Sequence, residues 1–116
     1  MDDAIVGALS LSYVFRISKW RKIMREREIE KKLVKSVKAM GGSALKFISP
    51  GFDGMPDRLV LLPDGKIAFV EVKAMGCNPR PLQESRHGML RRLGFKVYVL
   101  DDARQIGGII REIQST

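Results

Sequence analysis

Three observations in the sequence predict an α/β domain: a mixed central sheet flanked by helices, in the order helix, strand, strand, strand, helix, strand. Apolar residues recur at helical spacing over residues 24–40. Two aliphatic and β-branched runs, 58–62 and 66–73, flank the turn-forming triplet Pro63-Asp64-Gly65. A proline-initiated helical pattern from Pro81 then feeds a fourth strand pattern at 95–100, the sequence of a crossover that adds a parallel strand.

In the first helix Ile29, Leu33, Val34, Val37 and Met40 fall on one side, and Gly41-Gly42 ends it. A strand over 44–49 and a turn over 50–55 follow, and then the hairpin. Pro81 suits the first turn of the second helix, which carries Leu82, Met89, Leu90 and Leu93 and stops at Gly94. Gly88 inside it weakens the helix by about 1 kcal/mol relative to alanine. Residues 103–113 read as a last helix.

Residues 1–23 read as a helical N-terminal extension, and 24–116 as one domain. The apolar stretch 5–15 follows Asp2-Asp3, is interrupted by serines and is too short to span a bilayer, so an amphipathic helix is expected and no membrane association. Three roles are open for it: capping the core, packing in a dimer interface, or lying upstream of a natural start at Met24.

The hairpin carries the chemistry. Pro, Asp and Gly in that order suit a three-residue loop, a type I turn closed by a left-handed glycine. Leu62 then pairs with Lys66, and counting back sets Asp57 directly opposite Glu71, on one face, with Cβ atoms about 4.5–5.5 Å apart. A two-residue loop would pair Asp57 with Val72 and send the two carboxylates to opposite faces. Strand alternation also puts Lys73 on the face of Glu71, with Val72 pointing into the other layer. A Glu-x-Lys on a strand is ordinarily an ion pair or a solvated face. Here its strand is otherwise apolar, where unpaired charge is costly, and a divalent cation between Asp57 and Glu71 would remove that cost.

Composition agrees. The chain has 116 residues, enough for one modest core, and 21 Lys plus Arg against 13 Asp plus Glu give a net charge of +8, which favours a polyanionic partner. Cys77 is the sole cysteine and His87 the sole histidine, so neither an internal disulfide nor a Cys/His zinc site can form. A reducing, cytoplasmic setting is expected, with Cys77 a spectator thiol and His87 a surface residue without a role.

Pro56-Asp57 followed by Glu71-Val72-Lys73 resembles the PD-(D/E)xK nuclease superfamily, whose restriction-endonuclease-like core has the αβββαβ order. More narrowly, residues 54–63, 69–74, Pro81-Leu82-Gln83 and Leu93-Gly94-Phe95 resemble the VRR-NUC (virus-type replication-repair nuclease) domain, in a match running from about Met24 to Asp102. That family is associated with stand-alone phage nucleases and with the nuclease domain of a Fanconi-anaemia-associated repair enzyme.

The resemblance implies a DNA repair-type endonuclease using Mg²⁺ or Mn²⁺, held by Asp57, Glu71 and the Val72 carbonyl through hard oxygen ligands. Lys73 would position or deprotonate the attacking water, and Gln83 would support the site. A third carboxylate is expected from the first helix. Glu30 is favoured because it lies at the edge of the buried stripe; Glu28, on the wet side with Lys31, Lys32 and Lys35, is the alternative.

Lys46, Arg58, Arg80 and Arg86 are the leading phosphate contacts, with Arg16, Lys19, Arg21, Lys22, Arg91 and Arg92 as further positive charge. Most lysines of the first helix read as a solvated face. No base-reading motif is present, so branched DNA is the expected substrate, four-way (Holliday) junctions first and flaps or forks next. Cutting both strands of a junction symmetrically would need a homodimer. If the chain is phage-encoded, it would act in the bacterial host cytoplasm. A DNA-binding module with a decayed site and a sequence-specific restriction-type nuclease are the competing readings.

Overall fold

The computed structural model describes residues 10–116. Ser10 opens the first helix, α1 (Leu11–Ala39), its hydroxyl accepting from the Tyr13 amide. Nothing between Leu11 and Ile23 breaks a helix, so α1 starts at Leu11 rather than Met24 and runs for 29 residues. The expected helix at 5–15 can be followed only from Leu11; its first part lies outside the described residues. Among the described residues no helix is long and apolar enough to cross a membrane.

Four strands form one sheet in the order β1 (Ser43–Lys46), β2 (Arg58–Leu62), β3 (Lys66–Val72), β4 (Val97–Leu100). The first three pair antiparallel and β4 joins β3 in parallel, as the crossover through α2 (Pro81–Arg92) requires. The chain ends in α3 (Ile106–Gln114), preceded by one 3₁₀ turn. β1 is shorter than expected, although the Phe47 amide still donates to the Asp57 carbonyl at 2.8 Å.

The hairpin has the expected register, Leu62 opposite Lys66 through Arg58 opposite Val70. Its turn differs from the expectation, because Asp64 as well as Gly65 is left-handed, with φ of 67° and 71°. Asp is among the few residues that tolerate this region, which is why the register survives.

Strand alternation divides the side chains between two cores. Val60, Ala68, Val70 and Val72 pack with Leu33 and Val37 of α1 and Ile106, Ile110 and Ile113 of α3. On the opposite face Phe69, Val97 and Leu90 pack with Phe47, Met55, Leu59 and Met89. Phe69 meets Phe47 and Phe95 edge to face, with centroids 5.6 and 5.8 Å away.

Several expected core positions are not buried. Met40 sits beyond the last turn of α1 and is 46% exposed, and Leu82 and Leu93 are also exposed. The inward face of α2 is instead Gln83, His87 and Leu90, at i, i+4 and i+7. Two of these three side chains are polar because the face covers the end of β3 where the charged residues lie.

The two ends of the α1 stripe should separate in a stability measurement. Leu33→Ala should cost about 3 kcal/mol in denaturant unfolding, and Met40→Ala less than about 0.5 kcal/mol.

Candidate active site

Asp57 precedes the first residue of β2, and the hairpin register carries it opposite Glu71. The loop delivering it is fixed at several points. Gly54 has φ of +90°, and a Cβ there would meet the Leu82 Cγ of α2 at 2.8 Å and the Leu82 carbonyl oxygen at 3.2 Å. Arg86 of α2 stacks on Phe52 at 3.7 Å and donates from Nε to the Asp53 carbonyl at 2.8 Å. Pro56 is fully buried. The Val72 amide then donates to Asp57 Oδ2 at 2.9 Å, which orients the carboxylate across the hairpin.

Glu71 is the anomaly of the molecule, a carboxyl only 1% exposed in the middle of a sheet. Its pKa is pushed up to about 9, first by burial and then by Asp57, which hydrogen-bonds to the protonated form and repels the charged one; Lys73 pulls the other way and Glu26 adds to the rise. Two acids therefore face each other across the hairpin, and the buried one is biased toward its protonated form. His87 Nε2 lies 3.4 Å from Glu71 Oε1. Burial, with Arg91 next, pushes the His87 pKa below its ordinary value, so a neutral ring faces the carboxyl.

The surface expectation for His87 is thus corrected: it is 2% exposed and packs on the most perturbed acid in the protein. Its position four residues after Gln83 was the available signal, since both then share one helix face. Gln83 is also buried, and its Oε1 accepts from the Arg80 amide at 2.8 Å. That half of the side chain caps α2.

A cavity of about 270 Å³ opens at Asp57, walled by Glu26, Glu30, Lys46, Phe47, Ile48 and Val72. Glu71 is not among the residues that wall it. Glu30 reaches the cavity but is held by Arg58, whose Nε donates to Glu30 Oε1 at 2.7 Å while a terminal nitrogen donates to the Ala44 carbonyl at 3.0 Å. Glu28 points to solvent and pairs with Lys32 at 3.7 Å. Glu26, one turn before Glu30, also faces the cavity, and its Oε1 accepts from the Ala74 amide just past β3 at 3.3 Å. Sequence reasoning missed it. The i, i+4 relation to Glu30 was the signal, obscured because the apolar periodicity predicts a helix that begins only two residues before Glu26.

The donor set suits a hard divalent cation. Asp57 and Val72 line the cavity, Glu71 stands opposite Asp57 in the hairpin register, and an ion that keeps several waters does not need a full protein cage. Among the described residues no three acidic, His or Cys side chains gather closely enough for such a cage. The remaining positions would fall to water and substrate oxygens.

Opposed carboxylates on a hairpin, a lysine two residues after the second, and a parallel strand added through a helix define a PD-(D/E)xK-type nuclease core. No family-level sequence profile matches the chain. It is 55% identical over 80 residues to "Putative nuclease p44" of Acyrthosiphon pisum secondary endosymbiont phage 1, in a match covering 69% of this chain and 86% of that protein. A solved structure described as a VRR_NUC domain superposes with a TM-score of 0.71 at 34% identity, covering 75% of this chain and 95% of that one. The chain belongs to the VRR-NUC family.

The buried acid makes the metal-free protein sensitive to pH. Folded Glu71 holds its proton to about pH 9, whereas in the unfolded chain it releases it near 4.5, so stability falls as pH rises between those values. In EDTA, the melting temperature of the wild type should drop from pH 5 to pH 9 while that of Glu71→Gln stays flatter. At pH 8 the variant should be the more stable by on the order of 2 kcal/mol. Parallel pH profiles would mean that Glu71 is solvated.

Proposed function

We propose that this chain is a metal-dependent endodeoxyribonuclease that hydrolyses phosphodiester bonds in branched DNA, with four-way junctions as the leading substrate. The observation that carries the catalytic part is the Asp57–Glu71 pair, two acids opposed across one hairpin with the second of them buried. The nuclease named among its relatives and the shared VRR-NUC fold support the same reading.

Mg²⁺ or Mn²⁺ bound by Asp57, Glu71 and the Val72 carbonyl would lower the pKa of a water ligand and withdraw charge from the phosphodiester. The protein's own groups do the rest. Asp57 is aimed by the Val72 amide, and His87, with Nε2 at 3.4 Å from one oxygen of Glu71, would hold that carboxyl in place. Lys73 orients the attacking water and offsets the negative charge that builds on the phosphate oxygens as the new P–O bond forms and the leaving oxygen departs. Glu26 and Glu30 wall the cavity and hold outer water molecules. Arg58 is a brace for Glu30 in this reading, and Arg86 a brace for the loop before Asp57, rather than the phosphate contacts expected of both.

Preference for branched DNA rests on the absence of a base-reading element, and symmetric junction cutting would require two copies around a two-fold axis. Cleavage of end-labelled four-way junctions, flaps and linear duplex tests the whole reading. Cutting of branched substrates with Mg²⁺ or Mn²⁺, none in EDTA, and loss of at least about a hundredfold in Asp57→Ala and Lys73→Ala is the expected result. Salt-sensitive binding without cutting under any metal would favour a DNA-binding module instead.

A further inference from the structure

The cavity at Asp57 continues into a wider groove of about 580 Å³ between α1 and the β1–β2 edge of the sheet, and the two share Glu30 and Lys46. One wall of that groove is a single stripe of α1, with Arg27, Lys31, Lys35 and Lys38 flanking Val34. Positions i, i+4, i+8 and i+11 stay on one helix face, and their rise of 1.5 Å per residue spreads the four cations over about 16 Å. A single strand advancing about 3.4 Å per nucleotide covers that length in roughly five steps.

The stripe differs from an ordinary solvated lysine face in two respects. Its cations are free: among the described residues the salt bridges are Lys32–Glu28, Arg58–Glu30, His87–Glu71 and Arg104–Asp102, so none of Arg27, Lys31, Lys35, Lys38 or Lys46 is in one. The neighbouring face of the same helix, by contrast, satisfies Lys32 internally. The stripe also walls a groove that shares Glu30 and Lys46 with the cavity at Asp57, where negative charge calls for cations at the flanks if a phosphate chain is to approach.

From this geometry we propose that the groove is the path of the DNA strand leading to the scissile phosphate, with Arg27, Lys31, Lys35, Lys38 and Lys46 as its sequence-independent phosphate contacts. The proposal rests on the nuclease reading and adds the track, assigning it to helix lysines that the sequence alone presents as a solvated face. The occupant is a nucleic-acid backbone because the row holds point charges over a half-buried valine, with no aromatic platform among its lining residues for a base.

The test is duplex and four-way junction binding in EDTA as a function of salt, on Lys31→Gln/Lys35→Gln/Lys38→Gln and on a charge-matched control, Lys32→Gln/Arg104→Gln/Arg111→Gln. All six are exposed, so folding is not at stake. If the groove is the track, the slope of log K against log salt falls by about 2.7 in the groove variant, at about 0.9 per lost phosphate contact, and by less than about 1 in the control. Affinity at 0.1 M salt falls at least tenfold in the groove variant alone. Equal losses in both variants, or none in the groove variant, would overturn the assignment. Wild-type protein assayed alongside with Mg²⁺ separates the two claims. If it cuts while the groove variant binds unchanged, the track is wrong and the nuclease reading stands; if it neither binds nor cuts, the nuclease reading fails and takes the track with it.

Discussion

The register of the β2–β3 hairpin fixes the relation between two acids, and most of what is distinctive in this protein depends on it. Leu62 faces Lys66 across a loop of three residues, so Asp57 comes opposite Glu71. One residue fewer in the loop would turn Asp57 toward the α1 core and leave Glu71 without its partner. The cost of that arrangement is visible in Glu71, a carboxyl whose pKa is pushed up by burial and by the facing Asp57 despite the opposing pull of Lys73.

The surroundings of the pair serve to hold it still. Loop 49–56 is pinned to α2 through Arg86, Phe52 and the close approach at Gly54, and α2 in turn lays His87 on Glu71. On the other side α1 brings Glu26 to the backbone just after β3 and Glu30 to Arg58. Both helices are thus tied to the hairpin by polar contacts at the end of the sheet where the site lies, while apolar packing holds them elsewhere. The result is a rigid frame around an acidic cavity, with a row of unpaired cations leading away from it.

The element order, the hairpin register and the parallel addition of β4 were legible in the sequence because each has a local cause: helical periodicity, turn chemistry, and a helix between two strand patterns. What escaped depends on how elements dock. Glu26 enters the cavity because α1 crosses the end of β3 at a particular height, which no periodicity encodes. His87 is buried because the acid it covers is buried, a coupling between residues 16 positions apart that an apolar-stripe argument passes over. Met40 and Leu93 match the apolar pattern yet lie past the last turns of their helices, where there is nothing to pack against. Arg58 looks like a free cation in the sequence and is in fact committed to Glu30 and the Ala44 carbonyl.

On the proposed reading, Asp57 and Glu71 together exchange a proton for a divalent cation. Calorimetric titration of Mn²⁺ into the protein at pH 7.5, repeated in two buffers of different ionisation enthalpy, measures both halves of that exchange at once. The account predicts saturable binding that releases close to one proton per ion and is lost in Asp57→Asn. Saturable binding with no proton release, or no difference between wild type and Asp57→Asn, would contradict it.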